Sequence, residues 1–344
     1  MAEKQRLHFL DLGRFVAIFF MVLSHIKIEY GSDKLAESYA GYFIEAMSGP
    51  PAAPVFMFSM GFLIVFTKKT DIKSGLSRGL KIFLIGLILN IVRYVIPRAL
   101  NSWINNIQYI IYGENFSENL FFLTFEVDIL FFAGLAYCLV IIAVNYTSKR
   151  TILVLYLLIA FSSPYLWGLY TNHTAVNLFL DLIWGNRAHV YFPQFSWLCY
   201  PLLGAYVGYL FMENKEIPKK RFHIFYIGLV LLIFGGILTA LDVENQIGDY
   251  YHSGAGAVLL YSGFTILWLL VCKRLISWVG KRVTKHIEYV STNLLSIYCI
   301  HWTILGWFIL LISRYSYDLG GVLLIFIIVY PLSLILTKYI KIRV

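Results

Sequence analysis

Apolar residues in this chain run in long unbroken stretches separated by short charged clusters, with little of the alternation that marks a half-buried soluble element. A bilayer core takes roughly 20 apolar residues per helix. Stretches of that kind lie near residues 8–29, 50–67, 77–97, 120–144, 151–170, 193–212, 222–241, 254–272, 290–312 and 319–337. The pattern predicts an all-α polytopic membrane bundle of about ten transmembrane helices, with residues 1–344 as one domain. Three segments fit no span: 30–49, 98–119 (RALNSWINNIQYIIYGENFSEN) and 171–192 (TNHTAVNLFLDLIWGNRAHVYF). They read as long connections of mixed polar and aromatic character, a type of loop that often carries function.

Composition agrees with this reading, because the chain is 59% hydrophobic and 14% charged, whereas a soluble domain is nearer a quarter charged. Its 25 Tyr and 27 Phe suit two membrane interfaces, where amphipathic rings settle. The net charge of +9 could suggest nucleic acid, but its distribution points elsewhere. With the N-terminus inside, only Lys27, Lys34, Arg93, Arg98, Arg187 and Arg314 of the 28 Lys and Arg fall on the outer side. Arg14 lies within the first span, and the inner loops take all the others, from Lys4, Arg6, Lys68, Lys69 and Lys73 to Lys215, Lys219, Lys220, Arg221 and Arg343. Acidic Asp242, Glu244 and Asp249 gather opposite them. That alternation follows the positive-inside rule and predicts cytoplasmic termini. Cys138, Cys199, Cys272 and Cys299 all sit in apolar stretches, so they read as small buried hydrophobes without a disulfide framework or a metal site. The first stretch does not resemble a cleavable signal, being long and carrying Asp11 and Arg14.

That first stretch holds the most costly residues of the chain, since charge inside a bilayer is a functional hypothesis by default. Within RLHFLDLGRFVAIFFMVLSHIKIEY, Asp11 and Arg14 are three apart and share a helix face, either as an ion pair or as snorkelling interfacial groups. Arg14 and His25 are eleven apart, which at 100° per residue returns them to one face, roughly 16 Å apart along the axis. Glu29 lies one turn further and is placed to orient the His25 imidazole. Elsewhere Glu126 and Asp128 open the fourth span, as interfacial acids or as cavity-lining groups. Tyr298 and His301 share a face of the ninth span and read as helix–helix hydrogen-bonding residues. Arg187 and His189, in the third connection, either hold a substrate or are solvated; His173 and His252 have no evident partner in the sequence.

Arg6, Asp11, Arg14, Ala17 and His25 resemble the opening of the transmembrane acyltransferases, in which R-x4-D-x2-R is followed by ten residues and then a His. The second span, PVFMFSMGFLI (54–64), is similar to the Phe-rich second helix of that superfamily. Its Met60-Gly61 departs from the Ser-Gly of the acyltransferase-3 branch toward the heparan-α-glucosaminide N-acetyltransferase branch. Further similar segments follow in order: SRGLKIFLIGLILN (77–90), VDILFFAGLAY (127–137), FPQFSWLCYPLLGAYVG (192–208) and STNLLSIYCIHW (291–302). The histidine of the second branch is expected after the first helix, yet residues 26–49 contain none, so His25 would take that role.

The resemblance implies transfer of an acyl group, usually acetyl from cytosolic acetyl-CoA, to a glycan or glycolipid hydroxyl or amine across the membrane. On that basis Asp11, Arg14, Arg78, Lys81 and Lys285 form the expected acyl-CoA site, the cations meeting its phosphates. His25, with Glu29 and Asp128, is the expected catalytic group, acting as general base or as transient acyl carrier. Arg187, His189, Trp197 and His301 are the expected acceptor-binding set. Membrane lipids, acyl-CoA and the acceptor are the implied partners, in the plasma membrane or an organelle membrane, with no nucleic acid and no metal. The rival class is a transporter or flippase for a glycan or lipid precursor; the lack of an evident internal repeat between residues 1–170 and 171–344 weighs against it.

Overall fold

The computed structural model describes residues 6–67, 71–216 and 221–344. Lys4, Lys68, Lys69, Lys219 and Lys220, counted above among the inner cations, lie outside the described residues, as do the side chains of Lys215 and Arg221. The chain is all-α, 77% helical, with no strand among the described residues. In order, the helices are α1 (His8–Tyr30), α2 (Asp33–Ala36), α3 (Tyr39–Ser48), α4 (Ala53–Phe66), α5 (Ile72–Asn90), α6 (Ile96–Asn105), α7 (Phe116–Thr124), α8 (Ile129–Tyr146) and α9 (Lys149–Leu166). There follow α10 (Thr174–Trp184), the single broken turn α11 (Gln194–Trp197), α12 (Cys199–Glu216), α13 (Arg221–Leu241), α14 (Val243–Ile247), α15 (Ala255–Leu275), α16 (Lys281–Thr292), α17 (Leu294–Phe308) and α18 (Leu319–Leu336).

Among the described residues, eight helical segments are long and apolar enough to cross a bilayer. The two other expected spans coincide with α12 and with the 15-residue α17, neither of which is among those eight. The three segments read as irregular connections are largely helical: they contain α2 and α3, most of α6 with the start of α7, and α10. Short amphipathic helices of this kind carry no 20-residue apolar run, so a hydropathy reading passes over them. Ser32, Ser38 and Asn115 side chains cap α2, α3 and α7 by accepting from backbone N–H groups three residues on. The span expected at 120–144 is divided. Residues 125–128 leave the helix, Val127 pairs with the backbone of His189 and Tyr191, and Asp128 caps the start of α8.

The helices form two compact units, one of residues 1–56 and 265–343 and the other of residues 57–264. In the first, α1 packs against α3, α16, α17 and α18. Gly13 lets α1 come close to Leu269 and Cys272 of α15, beside a core of Leu12, Cys272 and Ile287.

In the second unit, α5 pairs with α8 and α12 with α9. Lipid removes most of the hydrophobic drive for helices to associate, so small residues and backbone proximity decide where they meet. A Cβ at Gly61 would lie 1.8 Å from the Pro201 carbonyl oxygen, and one at Gly204 would lie 2.0 Å from that of Phe58, so α4 and α12 touch backbone to backbone. Gly79 of α5 and Gly134 of α8 approach in the same reciprocal way. At its C-terminal end α5 runs through a π-helical turn, Ile91–Val95, directly into α6. Such turns are frequent at functional sites, and this one aims Arg93 into the unit's interior.

Candidate active site

In the first unit the residues of α1 acquire partners that local spacing does not reveal. Arg6 donates to Asp11 from Nε at 2.8 Å and from Nη2 at 3.2 Å, and also reaches Thr292 Oγ1 at 2.8 Å and the Glu288 carbonyl at 3.1 Å on α16. The hydrogen bond to Asp11 holds the Arg6 guanidinium above its ordinary value. Asp11 is therefore bridged to Arg6, and the pairing with Arg14 considered from sequence does not form. Arg14 is half-buried one turn further along α1 and makes neither ion pair nor hydrogen bond among the described residues. Lys285 stands exposed on α16 of the same unit.

Toward the other end of α1, His25 is half-buried against α17. Its Nδ1 lies 2.9 Å from Nε2 of His301, and Nδ1 of His301 lies 2.8 Å from the carbonyl oxygen of Ile297. The two imidazoles are coplanar to 7° with centroids 5.2 Å apart, so they meet edge to edge, as an in-plane hydrogen bond requires. Trp302 lies against the His25 ring at a centroid distance of 4.3 Å, and Tyr298 approaches it edge-on at 6.2 Å. One turn of α17 thus cradles the imidazole.

Glu29 does not back His25. It is buried and accepts from Arg314 Nη2 at 2.6 Å, while the neighbouring Lys27 pairs with Glu45 of α3. Burying a charge is costly without a counter-ion, and the α1 end satisfies this with one partner for each charge. Tyr30 completes the layer by donating to the Leu305 carbonyl at 2.5 Å.

The second unit holds the remaining candidates. Asp128 accepts from the Ile129 N–H at 2.6 Å and from Arg93 Nη2 at 2.6 Å. Arg93 is fully buried and also contacts Glu126 at 3.1 Å and the Asn90 side-chain oxygen at 2.9 Å. Tyr112 donates to Glu126 at 3.0 Å and shares a 2.7 Å hydrogen bond with Tyr191. Arg187 and His189 are brought together on one carboxylate, the buried Asp181, to which Tyr170 also donates. Burial alone would raise the Asp181 carboxyl, but the hydrogen bonds from His189 and Arg187 outweigh it and hold the group below its ordinary value.

Trp197 is buried, with its indole N–H given to the Tyr251 carbonyl at 2.8 Å. His252, without an evident partner in the sequence, contacts Asp249 at 2.7 Å and the Gly185 carbonyl at 2.9 Å. On α5, Arg78 lies over the Tyr137 ring at 5.4 Å, and Lys81 is exposed.

The expected site residues thus divide between the units: Asp11, Arg14, His25, Glu29, Lys285 and His301 in the first, and Arg78, Lys81, Asp128, Arg187, His189 and Trp197 in the second. Sequence reasoning missed Arg314 as the partner of Glu29 and Arg93 as the partner of Asp128. From the sequence both read only as outer cations, and sequence separation carries no signal for such a contact.

A family profile described as an acyltransferase domain matches residues 7–338, a span that includes Arg14, His25, Met60-Gly61 and His301. A comparison with curated proteins finds no match.

Proposed function

From the premise that this chain belongs to acyltransferase family 3, and is a multi-pass membrane acyltransferase, we propose that it transfers an acetyl or similar acyl group from acyl-CoA to a hydroxyl or amine of a glycan or glycolipid. The departure at Met60-Gly61 then falls within family 3. The observation that carries the reading is the state of Arg14. Arg6 has taken Asp11 as its hydrogen-bonded partner, so the half-buried Arg14 guanidinium makes no ion pair or hydrogen bond of its own among the described residues and feels Asp11 only from beyond contact. A CoA phosphate supplies what that group lacks, because guanidinium and phosphate match in charge and in bidentate geometry. His25 lies on the same face of α1, roughly 16 Å further along the axis, and the long thin pantetheine arm suits that separation.

The chemistry proposed at His25 begins with the acceptor heteroatom attacking the thioester carbonyl while the imidazole takes its proton. The C–S bond then breaks, and the departing thiolate recovers the proton to give free CoA. Transient acylation of the imidazole, followed by transfer to the acceptor, has the same overall balance. Within the second unit, Asp181 holds Arg187 and His189 in place. No observation favours the transporter reading.

The test is acyl transfer by the purified protein supplied with labelled acetyl-CoA and a glycan acceptor. The reading expects acetyl-CoA to raise the thermal midpoint, since a ligand that binds only the folded state stabilises it. It also expects His25→Ala to lose about 10²- to 10⁴-fold in turnover while remaining folded. Absence of both donor stabilisation and transfer would overturn it.

A further inference from the structure

Resting on the reading of His25 as the reacting imidazole, we propose that His301 is its positioning residue, and that the pair sets Nε2 of His25 as the nitrogen that does the chemistry. The Ile297 carbonyl can only accept a hydrogen bond. Since it lies 2.8 Å from Nδ1 of His301, that nitrogen carries the hydrogen. Neutral His301 then presents the lone pair of Nε2, and the facing Nδ1 of His25, 2.9 Å away, must donate. His25 is thereby held as the Nδ1–H tautomer, with its basic lone pair on Nε2. The assignment follows from the hydrogen-bond network, as tautomer assignments generally do.

Two features make this an orienting device rather than a chance contact. Ile297 and His301 are one turn apart on α17, so the helix itself sets the angle of the His301 ring. Trp302, the next residue, lies against the His25 ring and restricts its tilt. Both proposed routes start from Nε2, whether it removes the acceptor proton or is itself acylated. In either case positive charge develops on His25, and its Nδ1–H bond to neutral His301 becomes charge-assisted and stronger. Protonated His301 would point an N–H at the N–H of this His25 tautomer, so the facing nitrogens hold one proton between them. No carboxylate is needed behind the imidazole, in keeping with the commitment of Glu29 to Arg314. Among the ring contacts, Tyr298 and Trp302 also lie against the two imidazoles, and neither is cationic or acidic at neutral pH.

The experiment compares wild type with His25→Ala, His301→Ala and His301→Gln. It measures kcat, KM for donor and acceptor, and the pH profile, together with the pH midpoint of His25 carbethoxylation by diethyl pyrocarbonate, read by mass spectrometry. His301→Ala is expected to lower kcat about 10²- to 10³-fold, between the effects of losing a supporting residue and of fixing the wrong tautomer. Both KM values should change less than threefold, while the carbethoxylation midpoint of His25 shifts. His301→Gln retains an acceptor oxygen without a titrating proton and should recover at least a tenth of wild-type turnover with an altered acid limb. If the Ala variant does not fold, the Gln variant's turnover and labelling midpoint carry the test.

Unchanged kcat and an unchanged midpoint would overturn the proposal, as would a raised acceptor KM with kcat intact, which would make His301 a substrate contact. Retained turnover in His25→Ala overturns the functional reading itself. Inactive His25→Ala beside a wild-type His301→Ala overturns only the positioning role.

Discussion

Asp11 is held by Arg6, five residues before it, at 2.8 and 3.2 Å, and not by Arg14, three residues after it. Arg6 reaches Asp11 while also bonding Thr292 and the Glu288 carbonyl on α16, so the bridge is fixed at both ends. The consequence is that Arg14 makes no direct ion pair or hydrogen bond among the described residues.

Arg14→Ala should weaken donor binding at least tenfold, read as loss of acetyl-CoA-dependent thermal stabilisation, with acceptor affinity unchanged. Arg14→Lys should recover only part, because an ammonium lacks the bidentate fork. Arg6→Ala should also weaken donor binding, indirectly, by releasing Asp11 to capture Arg14; adding Asp11→Ala should reverse that loss. An unchanged donor affinity in Arg14→Ala would mean that the guanidinium serves the fold alone.

Glu29→Ala breaks the buried pair in which Arg314 Nη2 donates to Glu29, and breaking a buried pair costs about 3–5 kcal/mol. The expected outcome is a lower thermal midpoint with near wild-type transfer per folded molecule. A selective loss of kcat at unchanged stability would return Glu29 to the chemistry proposed from its spacing to His25.

Acid should loosen the segment held by Asp181. Its carboxyl is below the ordinary value when folded, so its stabilisation is complete above the unfolded value of about 3.9 and is lost as pH falls through the lower folded value. Hydrogen exchange of residues 170–192 should therefore accelerate below about pH 4 relative to the Asp181→Asn variant, which lacks the titration. Equal pH dependence in the two proteins would rule out Asp181 as the cause.

Gly61→Ala should destabilise the second unit by about 1–3 kcal/mol, because the new methyl meets the Pro201 carbonyl and must push α4 from α12. A thermal midpoint equal to that of the wild type would show that the helices separate without cost.

Much of this protein was legible in the order of its residues. Lipid demands long apolar runs, and those runs marked eight helices long enough to span a bilayer, along with the positions of α12 and α17. The 100° step of a helix was enough to place Arg14 and His25 on one face, and the motif order pointed to the family whose profile matches residues 7–338. Local periodicity stops at the helix surface, however. It could not decide that Arg6 takes Asp11, that Arg314 takes Glu29, or that Arg93 takes Asp128. His25 and His301 stand 276 positions apart, beyond the reach of any local periodicity. Only the packing of α17 on α1 brings their nitrogens to 2.9 Å, because a hydrogen bond depends on the relative placement of two helices, which neither helix encodes alone.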